Sequence, residues 1–167
     1  MIPHPDSQGI TVNCAIITVS DTRTPETDKS GQLIQQLLLA EKHEVSFYHI
    51  VKDEPAAIQK LLSDCDQQLE LEAIIFNGGT GIAPRDTTYD VVSNWLTKTL
   101  PGFGEIFRFL SYQEIGSRAI ASRAVAGVKN EKLIFSLPGS SNAVKLAMTE
   151  LILPELNHLV KQVQGTN

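Results

Sequence analysis

Short apolar runs of strand length alternate with helical stripes along this chain, and that alternation constrains its fold more tightly than any other feature. Cys14 to Ser20 (CAIITVS), Glu44 to Val51 (EVSFYHIV) and Leu71 to Phe76 (LEAIIF) read as strands. Between them, SGQLIQQLLLAEKH sets Leu33, Ile34, Leu37 and Leu38 on one helical face. DEPAAIQKLLSDCDQQLE opens on a helix-starting proline and lines up Ile58, Leu61, Leu62 and Cys65. Val91, Val92, Trp95 and Leu96 mark a third helix. PGFG at 101–104 breaks the pattern, EIFRFLSYQEIG predicts a helix, and AVAGV and KLIFSLPG predict two more strands. The last helical region, SSNAVKLAMTELILPELNHLVKQV, is interrupted or kinked at Pro154. Repeated strand–helix alternation predicts an α/β fold, a three-layer sandwich with a mainly parallel central sheet and helices on both faces.

Composition narrows the function classes. A length of 167 residues suits one domain, expected over 12–167 after a flexible lead-in at 1–11. No run approaches the ~18 apolar residues of a membrane helix, and MIPHPDSQGI lacks the pattern of a signal peptide. Cys14 and Cys65 sit on apolar faces and read as buried reduced thiols, which makes the cytoplasm the expected compartment. A net charge of −5 argues against nucleic acid as partner. His4, His43, His49 and His158 show no ligand spacing and read as surface or strand residues.

In a parallel sheet, ligands bind beyond the carboxyl ends of the strands. Four loops are expected to gather there: SDTRTPETDKSG, KDEP, NGGTGIAPRD and LPGSSNA. They hold Asp21, Asp28, Asp53 and Asp86, most of the awkwardly placed glycines and several hydroxyls. GGTG (78–81) lets the backbone approach a bulky ligand, and its successive N–H groups suit an anion. The loop is neither a Walker A sequence nor a dinucleotide fingerprint. Plainer readings stay open. Asp28, Asp53 and Asp86 also stand where helix caps would, Thr87 and Asp90 resemble a capping box, and Arg85 suits a solvated surface.

VSDTRTPETDKSG, GGTGIAPRDTTYD, PGFGEIFRFLSYQEIGSRAIASRAVAGV and FSLPGSSNAVKLAMTELILPEL follow one another in an order that resembles the MoaB/Mog molybdenum cofactor biosynthesis family, nearest its MoaB branch, over roughly residues 12 to 160. The resemblance implies a three-layer α/β fold assembled as a homo-trimer or hexamer. It also implies action on molybdopterin, a pterin carrying a dithiolene and a terminal phosphate. Active members use Mg²⁺ and ATP to adenylylate that phosphate, releasing pyrophosphate ahead of molybdate or tungstate insertion. Carried over by position, Asp86 and Asp53 are the expected catalytic and Mg²⁺-holding carboxylates. The expected nucleotide site is Asp28, Gly78, Gly79, Thr80, Gly81 and Arg85. Ser30, Pro138, Gly139 and Ser140, with Asn142 and Lys145 nearby, are the expected pterin side. Other molybdenum cofactor biosynthesis proteins are the implied macromolecular partners.

Two departures stand out. Tyr89 and Asp90 replace a common Pro-Glu in the motif that here reads RDTTYD, and a second serine follows PGS. The alternative expectation is a non-catalytic molybdopterin carrier or scaffold of the same fold. Phe103, Ile106, Phe107, Phe109 and Leu110 exceed what one helix face can bury against a sheet, so that segment suits either a subunit interface or burial within its own subunit.

Overall fold

The computed structural model describes residues 9–165. Its centre is a six-stranded sheet in the order β2-β1-β3-β6-β5-β4. β1 (Asn13–Val19) pairs in parallel with β2 (Glu44–Val51) and with β3 (Ala73–Asn77), and β3 pairs in parallel with β6 (Lys132–Leu137). β5 (Val125–Lys129) runs antiparallel to β6, and the two-residue β4 (Lys98–Thr99) runs antiparallel to β5. The sheet is therefore mainly parallel, with its antiparallel part confined to one edge.

Strand alternation divides the core. Cys14 and Ile16, Ala73 and Ile75, and Leu133 and Phe135 point to one face. There they meet α1 (Lys29–Ala40), α4 (Pro101–Ile115), α5 (Ser141–Ala147) and α6 (Leu153–Gln164). Ala15, Ile17, Ile74, Phe76 and Ile134 point to the other face, against α2 (Pro55–Asp66) and α3 (Thr88–Trp95). This is the expected three-layer sandwich. Ile10, inside the expected lead-in, packs against the first core cluster, whereas residues 1–8 of that lead-in lie outside the described residues.

Three local expectations change. Pro101–Gly104 does not break α4 but forms its first turn, because a proline at the start of a helix gives up an N–H that has no intrahelical partner. The kink at Pro154 is a π-helical turn over Met148–Ile152 between α5 and α6, since Pro154 has no N–H for the ladder. His43 is neither surface nor strand: it is buried, and its Nδ1 accepts the Val12 backbone N–H at 3.2 Å. Burial lowers its pKa, so the ring is held neutral as an acceptor.

Candidate functional site

Because β1, β2, β3 and β6 are parallel, the loops that follow them meet at one end of the sheet, and side chains stitch them together. The first loop reaches the fourth through Arg23, whose Nη2 donates to the Gly139 carbonyl at 2.9 Å. It reaches the third through Asp21, which receives Nε and Nη2 of Arg85 at 2.8 and 2.7 Å. The second loop joins the third through Asp53, whose Oδ1 accepts from the Thr87 N–H and hydroxyl at 3.1 and 2.6 Å.

Glycine is required where these loops press closest. Gly78 has φ +104, and a Cβ there would lie 2.2 Å from the Val19 carbonyl oxygen. Gly79 has φ +66, and a Cβ there would lie 2.1 Å from Thr88 Oγ1 and 2.4 Å from Asp53 Oδ2. The third loop therefore owes its bareness to the loops packed behind it as well as to the space in front.

That space is a cavity of about 360 Å³. Gly78, Gly79, Thr80, Gly81 and Asp86 form one wall, and Pro138, Gly139, Ser140 and Ala143 form a second. The third wall comes from α4 and the 3-10 turn after it (Gly116–Ala121): Phe107, Ser111, Ile115 and Arg118, continued by Ser122. Its spacing of four, four, three and four residues is a helical stripe. The polar Ser111, Arg118 and Ser122 within an otherwise apolar stripe were the available sequence signal, hidden behind the surplus of phenylalanines beside them.

The expected site residues separate into layers. Gly78, Gly79, Thr80, Gly81, Asp86, Pro138, Gly139 and Ser140 line the cavity. Asp53 lies directly behind Gly79 and does not cap α2, whose N-cap is Glu54 without a side-chain bond. Asp86 does not cap α3 either; its Oδ2 accepts the Ala83 N–H at 3.0 Å inside the loop. The capping-box reading of Thr87 and Asp90 also gives way, since the Thr87 hydroxyl is turned to Asp53 and Asp90 pairs with Arg123. Arg85 lies exposed beside Asp21, outside the cavity wall, and Asn142 and Lys145 are exposed on α5 away from it.

Asp28 and Ser30 are fully buried beneath the site. Asp28 Oδ1 caps α1 through the Gly31 N–H at 3.1 Å, and its Oδ2 accepts the Tyr48 hydroxyl at 2.7 Å. Ser30 donates to Asn77 Oδ1 at 2.9 Å, and Asn77 Nδ2 donates to Thr18 Oγ1 at 2.8 Å. Arg23 Nη1 contacts both Asp28 and Ser30. Burial raises the Asp28 pKa, but bonds from Thr18, Tyr48 and the Gly31 N–H, together with the Arg23 charge, leave it below the ordinary value. Tyr48 moves the other way, first through burial and then through its carboxylate partner, and stays protonated. Thr18 and Tyr48 lie in strands without a motif, and Arg23 and Asn77 lie inside the quoted loops but are not among the expected site residues.

Chemically, the arrangement offers bare backbone and one cavity-facing carboxylate on one side, a serine-capped helix start on the other, and a mixed apolar and polar back wall. Among the described residues no group of three His, Cys, Asp or Glu side chains stands ready to hold a metal ion. Asp86 can still supply one or two oxygens to a Mg²⁺ that takes its remaining ligands from water and phosphate, the usual habit of that ion.

A family model described as "Probable molybdopterin binding domain" matches residues 15–158. The chain is 58% identical over 154 residues to molybdenum cofactor biosynthesis protein B of Halalkalibacterium halodurans, spanning 92% of this chain and 91% of that one. A crystal structure of a molybdenum cofactor biosynthesis protein B superimposes with a TM-score of 0.92 at 48% identity, covering 95% of this chain and 99% of the other. The tungsten cofactor synthesizing protein MoaB from Pyrococcus furiosus superimposes with a TM-score of 0.79 at 35% identity, covering 92% and 98%.

Proposed function

This chain belongs to the MoaB/Mog family of molybdenum cofactor biosynthesis proteins, and on that premise we propose that it binds molybdopterin in the cavity and adenylylates its terminal phosphate with Mg²⁺-ATP. The observation that carries this reading is the joint lining of one cavity by Gly78–Gly81 with Asp86 and by Pro138–Ser140, neighbouring loops that meet where Gly139 packs on Gly78. A nucleotide phosphate chain suits the first wall and a pterin the second. An oxygen of the pterin's phosphate attacks the α-phosphorus of ATP. The bond from that phosphorus to the bridging oxygen of the β-phosphate breaks, and pyrophosphate leaves. Two anions must be brought together, so the work is neutralisation and alignment. Mg²⁺ supplies neutralisation when bound, with Asp86 as the carboxylate placed to hold it. Asp53, one layer behind and engaged with Thr87, keeps Gly79 and the loop at their distance.

The test is incubation of the purified protein with Mg²⁺, ATP and molybdopterin, with mass spectrometry for the adenylylated pterin. Asp86→Asn is expected to abolish the product while the fold survives. Turnover at the normal rate in that variant would sink the mechanism.

A carrier or scaffold role has one observation in its favour: Arg85, expected to hold nucleotide oxygens, is spent on Asp21. Its signature would be pterin binding without product in the same assay. Either activity belongs in the cytoplasm, and no helix among the described residues is long and apolar enough to cross a membrane. Assembly as a trimer or hexamer completes the proposal. Phe107 is buried, but Ile106, Phe109, Tyr112 and Ile115 of α4 and Ile120 beyond it are exposed, an apolar face suited to a second copy.

A further inference from the structure

Arg123 lies between the 3-10 turn and β5, outside every stretch assigned to ligand, yet its guanidinium is the most heavily engaged around the site. Nε and Nη2 donate to the Gly81 carbonyl at 3.0 and 2.7 Å, and Nη2 also reaches the Asp86 carbonyl at 3.2 Å. Nη1 donates to both carboxylate oxygens of Asp90 at 3.1 and 3.2 Å, and the Tyr89 ring lies 4.7 Å from the guanidinium carbon. One side chain thus grips both ends of the 81–86 loop and is itself held by the two residues that follow Thr88.

We propose that Arg123 is a positioning residue that clamps the 81–86 loop shut and so fixes Asp86 at the cavity wall. The inference rests on the reading above in which Asp86 serves the reaction. Between its clamped ends, the loop exposes Ile82, Ala83, Pro84 and Arg85 to solvent and has little packing of its own. The Ala83 N–H bond to Asp86 and the Asp86 N–H bond to the Ala83 carbonyl at 2.9 Å are internal to it. They fix its shape but tie it to nothing. The link from Arg85 to Asp21 is exposed on both sides and screened by solvent, so it is the weaker tether. Asp53 anchors Thr87 just past the loop's end, and Arg123 alone holds residues 81 and 86 themselves, from the segment between the 3-10 turn and β5 that also continues the cavity's back wall through Ser122. Tyr89 and Asp90, the pair that departs from the commoner Pro-Glu, acquire a role here: they orient the clamp. A lysine cannot reproduce it, because a single ammonium lacks the planar fork that spans two carbonyls and a carboxylate.

The experiment compares wild type, Arg123→Ala and Arg123→Lys by hydrogen–deuterium exchange and by the molybdopterin adenylylation assay. In Arg123→Ala, exchange across 81–86 is expected to accelerate about tenfold or more while β1 and β3 amides keep their protection. The turnover number should fall by about tenfold to a hundredfold, with KM for molybdopterin within about twofold, since the Pro138–Ser140 wall is untouched. Arg123→Lys should recover only a minor part, whereas millimolar guanidinium added to Arg123→Ala should restore more. Loop exchange in Arg123→Lys equal to wild type would overturn the clamp, as would faster exchange spread over β1 and β3. If Arg123→Ala fails to fold, Arg123→Lys decides alone. If wild type makes no product, the adenylyl-transfer reading fails, and loop exchange still decides the clamp.

Discussion

Gly79→Ala tests whether the loops are packed as tightly as their contacts imply. The native φ of +66 places an alanine in the left-handed region, which costs about 1–2 kcal/mol. The added methyl would lie 2.1 Å from Thr88 Oγ1 and 2.4 Å from Asp53 Oδ2, so one of them must move. Both are buried, and Asp53 moves only by loosening its bonds from Thr87, which costs about 1.5–3 kcal/mol for hydrogen bonds to a charged group. Together these give a loss of about 2.5–5 kcal/mol. At roughly 2–4 °C per kcal/mol for a domain this size, calorimetry should show the melting temperature down by about 5–20 °C. Gly102→Ala is the matched control. Nothing lies within 4 Å of its would-be Cβ, and its place in the first turn of α4 makes alanine neutral or stabilising by up to about 1 kcal/mol. A loss below about 2 kcal/mol in Gly79→Ala would refute the packing argument, because the left-handed penalty alone would then account for it.

Two further outcomes follow from the same geometry. Asp28 has a pKa below its ordinary 3.8 in the fold, so its contribution to stability is present at neutral pH and is lost as pH falls through 3.8 and then through the lower folded value. Asp28→Asn should cost about 1–3 kcal/mol at pH 7 and flatten the acid limb below about pH 4, read by urea unfolding across pH; an unchanged acid limb would contradict the assignment. Phe109→Glu places a charge on the exposed face of α4, 63% accessible in the single chain, and should reduce the proposed trimer or hexamer to smaller species by light scattering without lowering helix content. An unchanged mass would remove α4 from the interface.

The sequence carried the layout far because the physics that sets it is local. Apolar runs of strand length mark β1, β2 and β3, and the loops after them are expected to gather at one end of a parallel sheet, as they do. The polar platform was illegible for the opposite reason. Thr18 sits inside a run that reads as apolar strand, Asn77 reads as the first residue of the third loop, and Tyr48 lies on a neighbouring strand 20 residues from Asp28, so only the parallel pairing of β1 with its neighbours assembles them. Asp53 and Asp86 looked like helix caps because a capping aspartate and a loop-bridging aspartate occupy the same place before a helix. What separates them is the partner, which is Thr87 for one and Ala83 for the other.

The charges around the cavity bear on how an acidic protein can receive an anion at all. Arg23, Arg85 and Arg123 each carry an aspartate, namely Asp28, Asp21 and Asp90. Three of the arginines nearest the loops are thereby neutralised where they stand, and they act as girders for those loops more than as sources of field. Arg118 is the one lysine or arginine that lines the cavity among the described residues, and it comes from the 3-10 turn after α4 and not from the loop that carries Asp86. Under the proposed adenylyl transfer, attraction for a phosphate would come from the N–H groups of 78–81, from Arg118, and from a cation carried in with the nucleotide. The paired arginines make that division useful. A rigid loop with little net charge presents Asp86 without competing for the Mg²⁺ of the proposed reaction, whereas unpaired arginines beside it would repel that cation. Breaking the Arg85–Asp21 pair on the arginine side, with Arg85→Ala, frees an anion beside the loop and should therefore lower the Mg²⁺ requirement of the proposed reaction, while Asp21→Ala frees a cation there and should raise it. A titration of Mg²⁺ against turnover in the two variants separates them, and equal shifts in both would show that the pair matters only as a tether.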